Sequence, residues 1–301
     1  MRYSDDVDPQ PQLAEVQTQP IRYESRVDDD ACACRRAYGP SLRMRSPLAT
    51  LFSVVALALS LVAPPDPAAQ SNLQLIFSDD GTSGDWQDRW FLDGPANVEY
   101  TADGMVLDVS PGSGEAVLWA KPIVRGDVRI EYDYTHVDDA SNPYVVILFI
   151  QAQGTGGRAA DISTWERPVA SYPIYHGEMS NYSITYDNRA NTVRARHNPG
   201  QADAGEFKYT DMFERDETYH ITIEKSGGDF SMTATNARTG ASRTFDFTGS
   251  ASKGAIEEGR IGLRHMDDRS SRYGNFKIWA SEYLGGGGNV TGGPGTGSGS
   301  G

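Results

Sequence analysis

Between residues 71 and 284 the chain alternates short apolar runs with turn residues, and no span sustains the three-to-four-residue apolar repeat of a surface helix. The segments 73–77, 105–109, 128–134, 144–150, 219–223, 230–234 and 276–279 are rich in β-branched and aromatic residues, which suit a pleated, half-buried surface. Turn signals separate them: Asp79-Asp80-Gly81, Asp103-Gly104, Ser226-Gly227-Gly228 and Thr239-Gly240 place permissive residues where the chain must reverse. Many short strands with almost no helix predict an all-β chain, a sandwich of two antiparallel sheets or a jelly roll. Its length suits one domain.

In the stretch 127–135, Val128, Ile130, Tyr132 and Tyr134 share one face, and Asp127, Arg129, Glu131, Asp133 and Thr135 share the other. Sandwich-type glucanases carry two glutamates and an intervening aspartate at alternate positions of one strand for retaining hydrolysis. Here Thr135 stands where the second glutamate would be, so Glu131 and Asp133 are read as a solvated or groove-edge face. The pair Asp138-Asp139 is read as a turn, with structural calcium as the alternative use of its oxygens. His136, His197 and His220 lack ligand-like spacing and are read as ordinary surface or strand residues. No other cofactor is expected.

The ends of the chain are of a different kind. Residues 48–62 form an apolar run of signal-peptide length, after Arg45 and before the small-residue stretch 63–69. Residues 44–69 are therefore expected to be a secretory signal peptide starting at Met44, and residues 1–43 a disordered or spurious leader. The protein is expected to be secreted or periplasmic, with no membrane contact after cleavage. Both cysteines, Cys32 and Cys34, fall in that leader, so disulfide, thiol and zinc–thiolate chemistry drop out of residues 71–284. Residues 285–301 are almost wholly Gly, Ser, Thr and Pro, the composition of a flexible tail. Residues 71–284 hold 20 Lys and Arg against 32 Asp and Glu, an acidity that argues against a nucleic-acid partner.

The stretch 172–198, YPIYHGEMSNYSITYDNRANTVRARHN, gathers His176, Asn181, Tyr186, Arg189, Arg194, Arg196 and Asn198 beyond what strand cores and turns require. Together with the strand-like Arg260 to Met266 and the closing Tyr273-Gly274-Asn275-Phe276, it resembles the YesU-like family of bacterial proteins. The matching motifs are Tyr172-Pro173-x-Tyr175-His176-Gly177, Asn181, Tyr186 with Arg189, Arg194 with Asn198, and Gly262-x-Arg264-x-Met266. Asp187 and Asn188 stand where an aromatic and a second arginine usually follow the tyrosine, and His265 where a glutamine is familiar. The resemblance implies a concanavalin A-like jelly roll and work on uronic-acid polysaccharides.

The residues can be weighed by their own chemistry. Cleaving a uronate polymer by β-elimination needs a cation for the C6 carboxylate, a base for the C5 proton and an acid for the leaving oxygen. His176 is the candidate base and Tyr186 the candidate acid, with Asn181 and one of Arg189, Arg194 or Arg264 holding the carboxylate. Arg194 and Arg196 alternate, so both project from one face of a strand. Tyr172 and Tyr175 are expected to pack or to stack on sugar, and Arg196, Arg264, His265 and Trp165 to touch the ligand. The expected partner is a poly- or oligosaccharide and the leading expectation a polysaccharide lyase. A non-catalytic lectin-like module and a glycoside hydrolase using Glu166 or Glu178 are the alternatives.

Overall fold

The computed structural model describes residues 72–110, 112–139, 145–165, 167 and 171–287. The expected leader and signal peptide, Glu166 and the tail beyond residue 287 lie outside the described residues.

Fifteen strands account for most of the described chain: β1 Gln74–Asp79, β2 Trp90–Asp93, β3 Asn97–Thr101, β4 Gly104–Asp108, β5 Ala116–Ala120, β6 Ile123–His136, β7 Val146–Gly154, β8 Met179–Tyr186, β9 Thr192–Asn198, β10 Ala202–Lys208, β11 Thr218–Ser226, β12 Asp229–Asn236, β13 Ser242–Thr248, β14 Glu258–His265 and β15 Ser270–Gly285. One α-helix, α1 (Tyr172–Gly177), precedes β8. All pairings are antiparallel. The front sheet runs β10-β9-β8-β7-β14-β5-β2. The back sheet runs β3-β4-β15-β6-β11-β12-β13, with β1 also on β15. The seven segments expected from composition all fall within or overlap strands of these sheets.

The alternation expected in β6 holds: Val128, Ile130, Tyr132 and Tyr134 are buried between the sheets. Facing them from the front sheet are Leu148 and Ile150 of β7, Tyr182, Ile184 and Tyr186 of β8, Val193 and Ala195 of β9, and Ile261 and Leu263 of β14. Each Val, Leu or Ile side chain among them, fully buried, contributes about 1.5–3 kcal/mol. Glu131 and Asp133 lie on the outer face of the back sheet, where Glu131 pairs with Arg129, and Asp133 accepts from His220 at 2.9 Å and Asn275 at 2.7 Å. They belong to a solvent-facing charge network.

β14 starts against β6, through Glu258 and Gly259, and then crosses into the front sheet. The crossing passes hard against a bulge in β7, where Gln151 has φ of 52°. Gly259 has φ of +144°, and a Cβ there would lie 2.3 Å from the Gln151 carbonyl carbon, so only glycine fits. Further along β14, Gly262 lies beneath the Trp119 ring, and a Cβ would sit 2.3 Å from its Cε3. Gly262→Ala is expected to cost about 1–3 kcal/mol by overpacking, measurable as a lower urea midpoint. No helix of the described residues is long and apolar enough to cross a membrane.

Candidate functional site

The outer face of the front sheet carries the candidate chemistry. Val117 and Trp119 of β5 and Ile147 and Phe149 of β7 make an apolar patch there, and α1 covers it. Pro173 in the first turn pre-sets the helical backbone. Tyr175 seats on Phe149 and Trp119 with ring centroids 5.6 and 6.2 Å away, and Trp119 stacks on Phe149 at 5.5 Å. Tyr175 is thus the anchor of the helix. Tyr172 opens α1, and its side chain lies outside what the structure describes.

Docking of α1 brings His176 over β9. Its Nδ1 lies 3.3 Å from Asn198 Oδ1, and its carbonyl accepts from Gly200 N at 2.8 Å. Asn198 Nδ2 donates to Asn181 Oδ1 at 2.8 Å and Ser183 Oγ at 3.2 Å, while Asn181 Nδ2 donates to the Tyr175 carbonyl at 2.9 Å. Asn181 and Asn198 are fully buried. Expected as a catalytic residue, Asn181 instead ties β8, β9 and α1 into a strut beneath the surface. Burial first, then the positive charge of Arg264, lowers the His176 pKa from 6.5 to about 4, so the ring is neutral near pH 7.

Beside this strut opens a groove of about 480 Å³. His176, Arg189, Arg194, Arg196, Lys208 and Arg264 supply its nitrogen groups, and Glu206 its one acidic side chain. Arg194 and Arg196 both reach it from β9. Arg194 is held by Glu206 at 3.3 Å and Asp203 at 3.5 Å, and Arg196 donates to the Gln201 carbonyl at 3.2 Å. Arg264, fully buried at the base, pairs with Glu115 at 2.7 Å. Arg189 comes from the exposed β8–β9 turn. The five cations outnumber the carboxylates that reach them, Glu206 in the lining and Asp203 and Glu115 beside it, so the groove is basic on an acidic protein.

No family model and no curated protein matches the chain. Among solved structures, a Bacillus subtilis protein of unknown function with a galectin-like fold aligns with a TM-score of 0.58 at 18% identity, over 68% of this chain and 97% of that one. Basic winged bean lectin with Tn-antigen aligns at 0.52 and 9% identity, over 70% of this chain and 100% of the lectin. The fold is a concanavalin A-like jelly roll.

Besides Asn181 and Tyr175, three more expected site residues lie away from the groove. Tyr186 shares its face with Tyr182 and Ile184 and is fully buried between the sheets, its hydroxyl 2.9 Å from that of Tyr132. Burial, then the neighbouring tyrosines, push its pKa well above 10, and it has no path to the groove as an acid. His265 likewise points inward, its Nε2 2.7 Å from the Tyr273 hydroxyl. Trp165 packs on the patch beneath α1, with the guanidinium carbons of Arg158 and Arg167 5.0 and 5.3 Å from its ring centroid. None of the three lines the groove. Glu178, considered for a hydrolase, pairs with Arg158 at 2.6 Å. Tyr186→Phe is expected to leave glycan retention unchanged while costing about 0.5–1.5 kcal/mol in denaturant unfolding, the worth of one hydrogen bond.

Sequence reading missed Lys208 and Glu206, which arrive from β10. It also missed a buried charge cluster behind the β8–β9 turn. His136, read as an ordinary surface or strand residue, is buried, with Nε2 2.6 Å from Asp138 Oδ1 and Nδ1 3.4 Å from Asp187 Oδ2. Arg269 reaches Asp187 at 2.5 Å and Asp138 at 3.4 Å. Asp138 also accepts from Ser270 N at 2.8 Å. Those donors occupy oxygens of Asp138 that a calcium ion would need, and no group of three or more His, Cys, Asp or Glu arranged to hold a metal ion occurs among the described residues.

Burial opposes the charge on His136, but its hydrogen bonds to Asp138 and Asp187 prevail and raise its pKa from 6.5 to about 9. Burial and then Arg269 lower that of His265 to about 3. The His136 contribution to stability is therefore complete below pH 6.5 and lost as pH rises through about 9. That of neutral His176 and His265 is complete above pH 6.5 and lost as pH falls toward 4 and 3. The melting temperature is expected to peak between these limbs, and His136→Gln to flatten the alkaline limb alone; a steep alkaline fall kept in the variant would refute the assignment.

Proposed function

We propose that this protein binds an acidic poly- or oligosaccharide in the basic groove of the front sheet, as a lectin-like module. The observation that carries the reading is the reversal of charge: five cationic side chains line a groove on a domain in which acids outnumber bases. Forked guanidinium groups suit carboxylates, and the Thr185 and Thr192 hydroxyls on the same walls suit sugar hydroxyls. The jelly roll shared with a lectin bound to Tn-antigen supports a sugar ligand. The motif resemblance to YesU-like proteins supports uronic acids, and the signal-like apolar run 48–62 supports a secreted or periplasmic location. Retention on immobilised polygalacturonate or alginate, weakened by salt and absent on a neutral glucan, is the expected result. Equal retention on all three, or on none, would overturn it.

A lyase is the second reading, favoured by His176, a neutral imidazole on the groove wall. Such an enzyme would take the C5 proton and form a C4–C5 double bond, seen as new ultraviolet absorbance. A rise abolished in His176→Ala would make the protein a lyase. Retention without a rise would leave a binding site. Because Tyr186 lies in the core, the proton for the leaving oxygen would have to come from another group.

A further inference from the structure

The strut that bounds the basic groove has a second side. A second groove of about 480 Å³ opens beyond it, lined by Gln153, Ser180, Asn198, Lys253, Glu257 and Glu258 among others. The dividing wall is shared: His176 lines the first groove, Asn198 lines the second, and the two side chains meet at 3.3 Å. On β9, Asn198 lies four residues from Arg194 on the same face, a span of roughly 13 Å, longer than one sugar ring. A glycan of two or more residues passing over the His176–Asn198 wall would therefore reach both grooves.

The chemistry of the two grooves differs. The second offers an amide from Gln153 and a hydroxyl from Ser180, with Pro199 and Ala255 as apolar surface, while the Asn198 amide at its floor is already bonded to Asn181, Ser183 and His176. Its single ammonium, Lys253, is drawn to the Pro199 and His197 carbonyls, and two carboxylates, Glu257 and Glu258, stand at its wall. Glu258 is paired with Arg125 at 2.6 Å and Glu257 lies 4.0 Å from Lys225, so the wall adds no free positive charge and the lining holds no guanidinium for a second uronate, whereas a neutral ring would find donors, acceptors and an apolar contact.

We infer that the second groove is a subsite for a neutral, hydroxyl-rich sugar residue, so that the glycan recognised carries neutral as well as acidic residues. This rests on reading the first groove as an acidic-sugar site. The full-length protein is run on affinity gels bearing hyaluronan, unsulfated chondroitin and a rhamnose–galacturonate polymer, which alternate a uronate with a neutral sugar, and on polygalacturonate and alginate, which do not. At least one alternating polymer is expected to be retained about tenfold more tightly than both homopolyuronates, the worth of about one good hydrogen bond. Ser180→Trp, which fills the second groove, and Gln153→Ala, which removes an amide with little effect on packing, are expected to erase that preference. Both should leave retention on homopolyuronates unchanged. Thermal melts verify that each variant is folded, and Gln153→Ala carries the test if Ser180→Trp is not. Wild-type behaviour of both variants on every polymer, or tighter binding of homopolyuronates, would overturn the subsite while Arg194→Ala still weakened binding throughout. If Arg194→Ala also changed nothing, the first groove would be misread and the subsite would fall with it.

Discussion

Arg269→Ala is expected to destabilise the protein by about 3–5 kcal/mol, because it leaves buried charge uncompensated. Arg269 is 1% exposed and bridges Asp138 and Asp187, and its Nη2 also donates to the Asp187 carbonyl at 3.1 Å. Without it, two buried carboxylates share one imidazolium. The loss should appear as a lower urea midpoint at unchanged slope. It should shrink at acid pH, where the stranded carboxylates take up protons. Arg269→Met should fare little better, since the aliphatic volume returns but the charge does not. The variant should also bind glycan more weakly without touching it, because Asp187 precedes Asn188 and Arg189, which line the groove. A variant as stable as the wild type would mean that water or a shifted loop already neutralises the pair.

Arg194→Ala is expected to weaken binding of an acidic glycan about 10- to 150-fold, the loss of one charge-assisted contact worth about 1.5–3 kcal/mol. Its effect on folding should be small. The guanidinium is 36% exposed, and its carboxylate partners Asp203 and Glu206 are 63% and 41% exposed, a class of ion pair worth little. Arg194→Lys should recover only part of the affinity, since an ammonium cannot engage a carboxylate with two parallel donors. Titrations at several ionic strengths separate the charge contribution, and unchanged affinity in Arg194→Ala would remove the groove from the ligand's path.

The strand framework was legible because burial on one face enforces period two, as Val128 to Tyr134 demonstrates. The same rule assigns Tyr186 to the core with Ile184 and Tyr182, two and four positions back, but chemical character outweighed parity in the expectation. Parity likewise separates His265, which follows Ile261 and Leu263 inward, from Arg264, which reaches the groove. Helix α1 escaped because six residues are too few for an apolar period, and Pro173 was its one local mark. Lys208 and the cluster around Arg269 escaped because they depend on pairings between distant segments: β10 folding against β9, and Arg269 reaching residues 131 and 82 positions away.

The opposition between a basic groove and an acidic exterior also governs encounter kinetics. At 0.01 M salt the Debye length is about 30 Å, and on coming within it an approaching polyanion senses the repulsive net charge before it senses the groove. Adding salt to about 0.1 M contracts that range to about 10 Å, so capture should quicken at first even as the bound state loosens. Association and dissociation rates should then both rise over the same salt interval, and polymer would be exchanged fastest at the ionic strength where only the groove is felt.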